Sequence, residues 1–345
     1  MKKVMGRRLR LSALTVTVGA MFLSACASGP GGEEQTEAAA GGTTVQSGHG
    51  DDSGSPGTEG EWPRTFTNAD GSTTEIPAQP EHIVSTTVST TGTLLAFDAP
   101  VIASATAGNG EFFAQWDDVA HERGVENLWA AGEVDLEAVY SFDPDLIVVS
   151  ISGADSLADN VDELGEIAPT IVVDYGGQTW QELALELASA LGLEEQAQEA
   201  VADFDSYVAD AAATIEVPDG EVNVVSFNGP GENNPIARAG SAQAELLESL
   251  GFTIEDPPVE WHSQGSERAD FVWANYENLT ELTGETTFIL SQENEGAQAF
   301  AEDPVLANVA SVVNEQVYGL GVNSFRIDKF SATEIVDGVV ANFGG

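Results

Sequence analysis

Positive charge is what this chain has least of: 11 Lys and Arg stand against 57 Asp and Glu in 345 residues, a formal net charge of −46 at pH 7. Binding a phosphate backbone needs a cluster of Lys and Arg, so nucleic acid is excluded as a partner. Cysteine is nearly absent as well. The one Cys, Cys26, allows no disulfide within the chain, and stability has to come from core packing. Long apolar runs are missing too: the longest, Leu11 to Leu23, is too short to span a bilayer, which removes polytopic membrane proteins. Catalytic signatures are also wanting. There is no G-x-S-x-G elbow, no H-E-x-x-H and no phosphate-binding loop with its lysine. Gly108-Asn109-Gly110 and Gly229-Pro230-Gly231 both lack the third glycine of a dinucleotide fingerprint. Histidine is sparse, with His49 in a low-complexity stretch and His82, His121 and His262 far apart, so no zinc or manganese site is expected. The expectation is a chain that is no enzyme, needs no cofactor and ligates no metal directly.

What is present begins with a leader. Lys2, Lys3, Arg7, Arg8 and Arg10 precede the apolar run, and Leu23-Ser24-Ala25-Cys26 follows it, the order of a secretory signal. The last four residues resemble the lipobox of bacterial lipoproteins, which implies that residues 1–25 are removed and that Cys26 is lipidated and anchors the chain to the outer face of the cell membrane. Arg7-Arg8 leaves the general and twin-arginine export routes both open. Removal of the leader leaves six cations: Arg64, Arg123, Arg238, Arg268, Arg326 and Lys329. Residues 26–61 are Gly, Ser, Thr, Glu and Asp with almost nothing to bury, a tether with an r.m.s. span of roughly 30 Å.

From Trp62 onward the sequence can form a core. A polar hairpin is expected around Asn68-Ala69-Asp70-Gly71, followed by strands at Ile83–Thr86, Val101–Ala105, Leu146–Ser150 and Thr170–Asp174. Helical spacing fills Leu136–Phe142, Leu157–Ile167 and Trp180–Leu191, and Glu194–Ile215 reads as an unusually long helix, broken off from its predecessor by Gly192 and ended by Pro218. This alternation predicts a parallel sheet wrapped by helices. It restarts at Val222–Phe227, with a helix at Gln243–Leu250 and strands at Thr253-Ile254, Phe288–Leu290 and Val317–Leu320. DLEAVYSFDPDLIVVS in the first half is echoed by ENLTELTGETTFILS in the second, which suggests two similar lobes.

The segments HIVSTTVSTTGTLLAFDAPVIASAT, FFAQWDDVAHERGVENLW, LEAVYSFDPDLIVVS, LGEIAPTIVVDY, TWQELALELASALG, SAQAELLESLGFT and QVYGLGVNSFRID carry a further signal in their order and spacing. They resemble the substrate-binding lipoproteins of iron-siderophore ABC importers over about residues 80 to 343. The resemblance implies an α/β fold of two Rossmann-like lobes, residues 62–192 and 218–345, joined by one long helix within 193–217, with the ligand in the cleft between them. It implies a monomer that captures a ferric catecholate siderophore of the enterobactin type and delivers it to an ABC transporter permease. The siderophore's oxygens saturate the iron, so the protein recognises a rigid trianion with aromatic faces, for which arginines and aromatic rings are suited.

Site residues follow from the same resemblance. Arg268 and the pair Phe325-Arg326 match cleft positions, with an ion pair between Arg326 and Asp328 as the structural alternative. A tryptophan of the family is replaced by Ala237, so Arg238 beside it and Trp261 are candidates to supply a cation and a ring. An arginine of the family is replaced by Ala114, which removes positive charge from the first lobe. Thr87 follows the first strand at the edge where open α/β sheets bind ligands, with helix capping as its alternative. Glu137 and Glu248, one per lobe, match positions that dock the permease. Haem, cobalamin or a hydroxamate siderophore on the same fold remain alternative cargoes, and an extracellular α/β hydrolase is the remote one.

Overall fold

A short hairpin opens the folded chain in the computed structural model, which describes residues 60–265 and 268–345. Cys26, the leader and nearly all of the tether lie outside the described residues. Strands β1 (Arg64–Thr67) and β2 (Thr73–Ile76) pair antiparallel across the expected turn. Asn68 fixes them to the body: its side-chain carbonyl accepts from the Val172 N–H at 2.8 Å, and its amide donates to Ser72 and Thr74.

The first sheet contains β3 (Ile83–Ser85), β4 (Val101–Thr106), β5 (Glu126–Ala130), β6 (Leu146–Ser150) and β7 (Thr170–Val173). They run parallel in the order β5-β4-β3-β6-β7. Helices α1 (Val88–Ala96), α2 (Asp117–Glu122), α3 (Leu136–Tyr140) and α4 (Val161–Gly165) make the crossovers, and α5 (Trp180–Leu191) follows the last strand. Every residue of β3, β6 and β7 is buried, as strands covered on both faces must be.

Gly192, at φ +67°, supplies the left-handed residue that stops α5 and lets the long helix start at once. That helix, α6 (Glu194–Ala212), buries Ala197, Ala200, Phe204, Val208 and Ala211, a stripe spaced by three and four residues. It packs against α5, where Trp180 meets Phe204 edge-on at 5.2 Å.

Beyond α6 lie β8 (Glu221–Val225), β9 (Asn233–Ala237), β10 (Thr253–Ile254), β11 (Phe271–Asn275), β12 (Thr286–Ile289) and β13 (Val317–Gly319), with α7 (Ala242–Ser249), α8 (Asn294–Ala301), α9 (Ala310–Val313) and α10 (Lys329–Phe343). The second sheet has the order β11-β9-β8-β12-β13, with β10 beside β8. The echoed sequences occupy equivalent places, since β6 lies next to β3 in one sheet and β12 next to β8 in the other. The second sheet departs from the all-parallel expectation: β9 runs antiparallel to β8, and β11 antiparallel to β9. Only a glycine- and proline-containing loop separates β8 from β9, and a parallel return would need a crossover of a dozen residues or more. Helix α10 then packs back against α6 and α1, with the Tyr207 hydroxyl donating to Asp337 at 2.6 Å. One apolar core runs from Leu146 and Ile171 of the first sheet through Phe204 to Val224 and Phe288 of the second.

Candidate functional site

A cleft of about 780 Å³ lies between the two sheets. On the first lobe its wall is built where β6 and β7 end, from Ser152, Gly153, Asp174 and Tyr175, and from the starts of α1 and α5, with Ser89, Thr179 and Glu182. On the second lobe it is built from Ser241 and Gln243 at the start of α7, from Arg268 to Phe271, and from Phe325 to Asp328 ahead of α10. Four helix N-termini therefore reach the cleft, each contributing partial positive charge. Each is capped from within. Asp155 accepts the Ser89 N–H at 3.2 Å at the start of α1, Thr179 and Glu182 form a capping box on α5, Ser241 accepts from Ala244 on α7, and Asp328 accepts from Phe330 and Ser331 on α10.

Phe325 and Arg326 are held in place by their own backbone. Gln243 Nε2 donates to the carbonyls of Ser324 and Phe325, at 3.2 and 2.9 Å, and the Phe325 ring stacks on Phe271 with centroids 5.5 Å apart. The Arg326 guanidinium carbon lies 5.1 Å from the Phe325 ring and 5.7 Å from the Tyr175 ring of the opposite lobe, within cation–π range of both. Among the described residues no carboxylate pairs with Arg326. Asp328, the expected partner, instead accepts from Gln115 of the first lobe at 3.1 Å and from the first turn of α10. Burial pushes its carboxyl up to about 6.

Arg268 also lines the cleft, 43% exposed, with a two-pronged pair to Asp270 at 2.8 and 2.7 Å that raises the guanidinium further. Thr87 is fully buried just before α1, and its hydroxyl donates to Asp155, so the cleft reaches the next position that is not fully buried, Ser89. Arg238 and Trp261 stand outside the cleft lining. Arg238 faces Asp256 at 3.5 Å, and Trp261, in a short 3-10 turn, packs on the apolar cluster around Leu279 and Phe300. Ala237 is buried in β9 and Ala114 is exposed. Glu137 on α3 and Glu248 on α7 are exposed, and Cys26 lies outside the described residues.

Sequence reasoning missed Tyr175, Asp155, Gln243 and Gln115. Tyr175 ends the TIVVDY run, where an aromatic reads as core; Gln243 and Gln115 sit inside quoted segments, SAQ and AQW, without a charge to draw notice. The cleft also carries negative charge. Glu245, facing Glu182 across it, is pushed up by burial, by Glu182 and by Glu248. Among the described residues no cluster of His, Cys, Asp and Glu has the geometry to hold a metal ion, and no helix is long and apolar enough to cross a membrane. Chemically, the site offers guanidinium donors and aromatic faces to an anion that brings its own metal ligands.

Comparison with known proteins gives the same picture. A family model described as periplasmic binding protein matches residues 83–323. The ferric enterobactin-binding periplasmic protein FepB of Escherichia coli O6:H1 is 39% identical over 293 residues, covering 82% of this chain and 92% of FepB. The structure of holo-ViuP superposes with a TM-score of 0.81 at 51% identity, over 83% of this chain and 96% of ViuP. Staphylococcus aureus SirA, solved with staphyloferrin B, shares the fold with a TM-score of 0.63 at 18% identity, over 81% of this chain and 97% of SirA.

Proposed function

This chain belongs to the periplasmic binding protein family, and from that premise we propose that it is the extracytoplasmic receptor that captures a ferric catecholate siderophore in the interlobe cleft and hands it to an ABC importer. The observation that carries this reading is Arg326, a half-buried guanidinium between two aromatic rings with no carboxylate partner among the described residues. In a chain with 57 Asp and Glu, such a charge is kept for something other than an internal ion pair. Arg326 and Phe325 contact the ligand directly, one through the catecholate oxygens and one through a ring face. Arg268 adds a second cation from the rim, and Thr87 acts from behind through Asp155. Arg238 and Trp261 lie outside the cleft lining.

The rest of the assignment rests on the sequence. Cys26 carries the lipid anchor and residues 26–61 the tether, so that a monomeric body sits just off the membrane. The lobes 62–192 and 218–345 close modestly about the helix in 193–217, and Glu137 and Glu248 present one carboxylate per lobe to the permease. FepB is a ferric enterobactin-binding protein by name, which supports the catecholate as cargo.

Intrinsic tryptophan fluorescence of the mature protein, titrated with ferric enterobactin, ferrioxamine, haem and cobalamin, tests the reading. Saturable sub-micromolar quenching by the catecholate alone is expected. Quenching by ferrioxamine, haem or cobalamin alone would keep the fold and replace the cargo.

A further inference from the structure

The first lobe brings no cation to the cleft. Its lining offers hydroxyls, amides, the carboxylates of Asp174 and Glu182, the buried ring of Trp180 and the half-buried ring of Tyr175. That ring is fixed with unusual care. The Tyr175 hydroxyl donates to Asp155 Oδ1 at 2.7 Å, while Asp155 Oδ2 takes the Thr87 hydroxyl and the Ser89 N–H of α1. The space for the hydroxyl exists because residue 153 is glycine: a β-carbon there would lie 1.6 Å from the Tyr175 oxygen. Gly153 also takes φ +82°, which a side chain disfavours. Across the cleft, the Arg326 guanidinium carbon lies over this ring, 5.7 Å from its centroid.

We infer that Tyr175 is a specificity-determining residue of the first lobe, whose ring, oriented by Asp155, forms the wall against which Arg326 holds an aromatic, anionic arm of the ligand. This inference rests on the catecholate reading and adds to it the first-lobe contact that the loss of a cation at Ala114 leaves open. It also says what Tyr175 does not do. Its hydroxyl donates to Asp155, and burial together with that carboxylate pushes the phenol up to about 12, so in the free protein it does not ionise and presents a neutral face.

The test uses ferric enterobactin and the ferric complex of a tetradentate bis-catecholate, each titrated into the mature protein and into Tyr175→Phe and Tyr175→Leu, with thermal melts and visible spectra alongside. Tyr175→Phe keeps the ring but loses the hydrogen bond to Asp155 that orients it, and should weaken both ligands by a few-fold; Tyr175→Leu should weaken both by about tenfold or more, the size of a lost aromatic and cation–π contact. Should Tyr175→Leu melt early, Tyr175→Met carries the same comparison at similar volume. Unchanged affinity in a folded Leu or Met variant overturns the inference while leaving the receptor reading intact. A charge-transfer band with the bis-catecholate that Tyr175→Phe abolishes also overturns it, since the phenol would then ligate iron. A parent protein that binds neither ligand removes the catecholate reading itself.

Discussion

Arg268 donates twice to Asp270, whereas Arg326 lies against two rings and has no carboxylate partner among the described residues. Their charges are therefore not equivalent toward an incoming trianion. Hydrogen bonds to charged groups are worth about 1.5–3 kcal/mol each, so Arg326→Ala should weaken ferric enterobactin by roughly ten- to a hundredfold in the fluorescence titration. Asp270→Asn should do the opposite. It frees Arg268 and removes a carboxylate from the cleft, so affinity should rise several-fold; an unchanged or weaker constant would mean that the Arg268–Asp270 pair acts as a unit. Phe325, Arg326 and Arg268 were legible because their neighbours match a family pattern. Arg238 was not: it stands one residue past the end of β9, where its guanidinium donates to Asp256 and to the Arg268 carbonyl. Tyr175 was hidden by its run of buried neighbours, which make an aromatic look like core.

Helix α10 is the element on which the junction of the lobes depends. Its N-cap, Asp328, accepts from Gln115 of the first lobe, and α1 approaches so closely that a β-carbon at Gly92 would lie 2.5 Å from Asp328 Oδ2 and 2.8 Å from the Trp116 ring. Gly92→Ala should therefore destabilise by about 1–3 kcal/mol through overpacking, although alanine is the better helix former; a raised melting temperature would disprove the close contact. Asp328 also makes stability depend on pH. Burial raises its carboxyl from an ordinary 3.8 to about 6, so the folded state holds a proton that the unfolded state has lost. The resulting contribution is complete below about pH 4 and is lost as pH rises through 6. Asp328→Asn keeps an N-cap acceptor and should flatten the melting temperature between pH 4 and 7, measured by circular dichroism at constant salt. Elements with strong periodicity were legible: α5 and the start of α6 fall where the spacing puts them. Strands β9 and β11 were not, because Asn-Asn-Pro and a terminal Asn dilute their β signal, and α10 carries β-branched residues and Gly338, which lower helix propensity.

At the scale of the whole molecule, composition shows the amount of charge but not its placement. The sequence makes the excess of carboxylates plain, yet only the fold puts Asp174, Glu182, Glu245, Asp270 and Asp328 around the same cleft as Arg268 and Arg326. A trianionic ligand thus meets two opposed fields. At long range the net charge of −46 repels it, whereas at contact Arg326 and Arg268 attract it. The two differ in reach. Salt screens charges over roughly 8 Å at physiological ionic strength and over about 30 Å at 0.01 M, so low salt extends the repulsion outward and leaves the short contacts nearly untouched. Capture should accordingly slow as salt is lowered, the reverse of ordinary electrostatic steering, while dissociation changes little. Stopped-flow fluorescence from about 0.01 to 0.5 M salt reads both rates. Faster association at low salt would mean that the cleft's own positive field dominates the approach, and that the acidity of this chain is arranged away from the path the ligand takes.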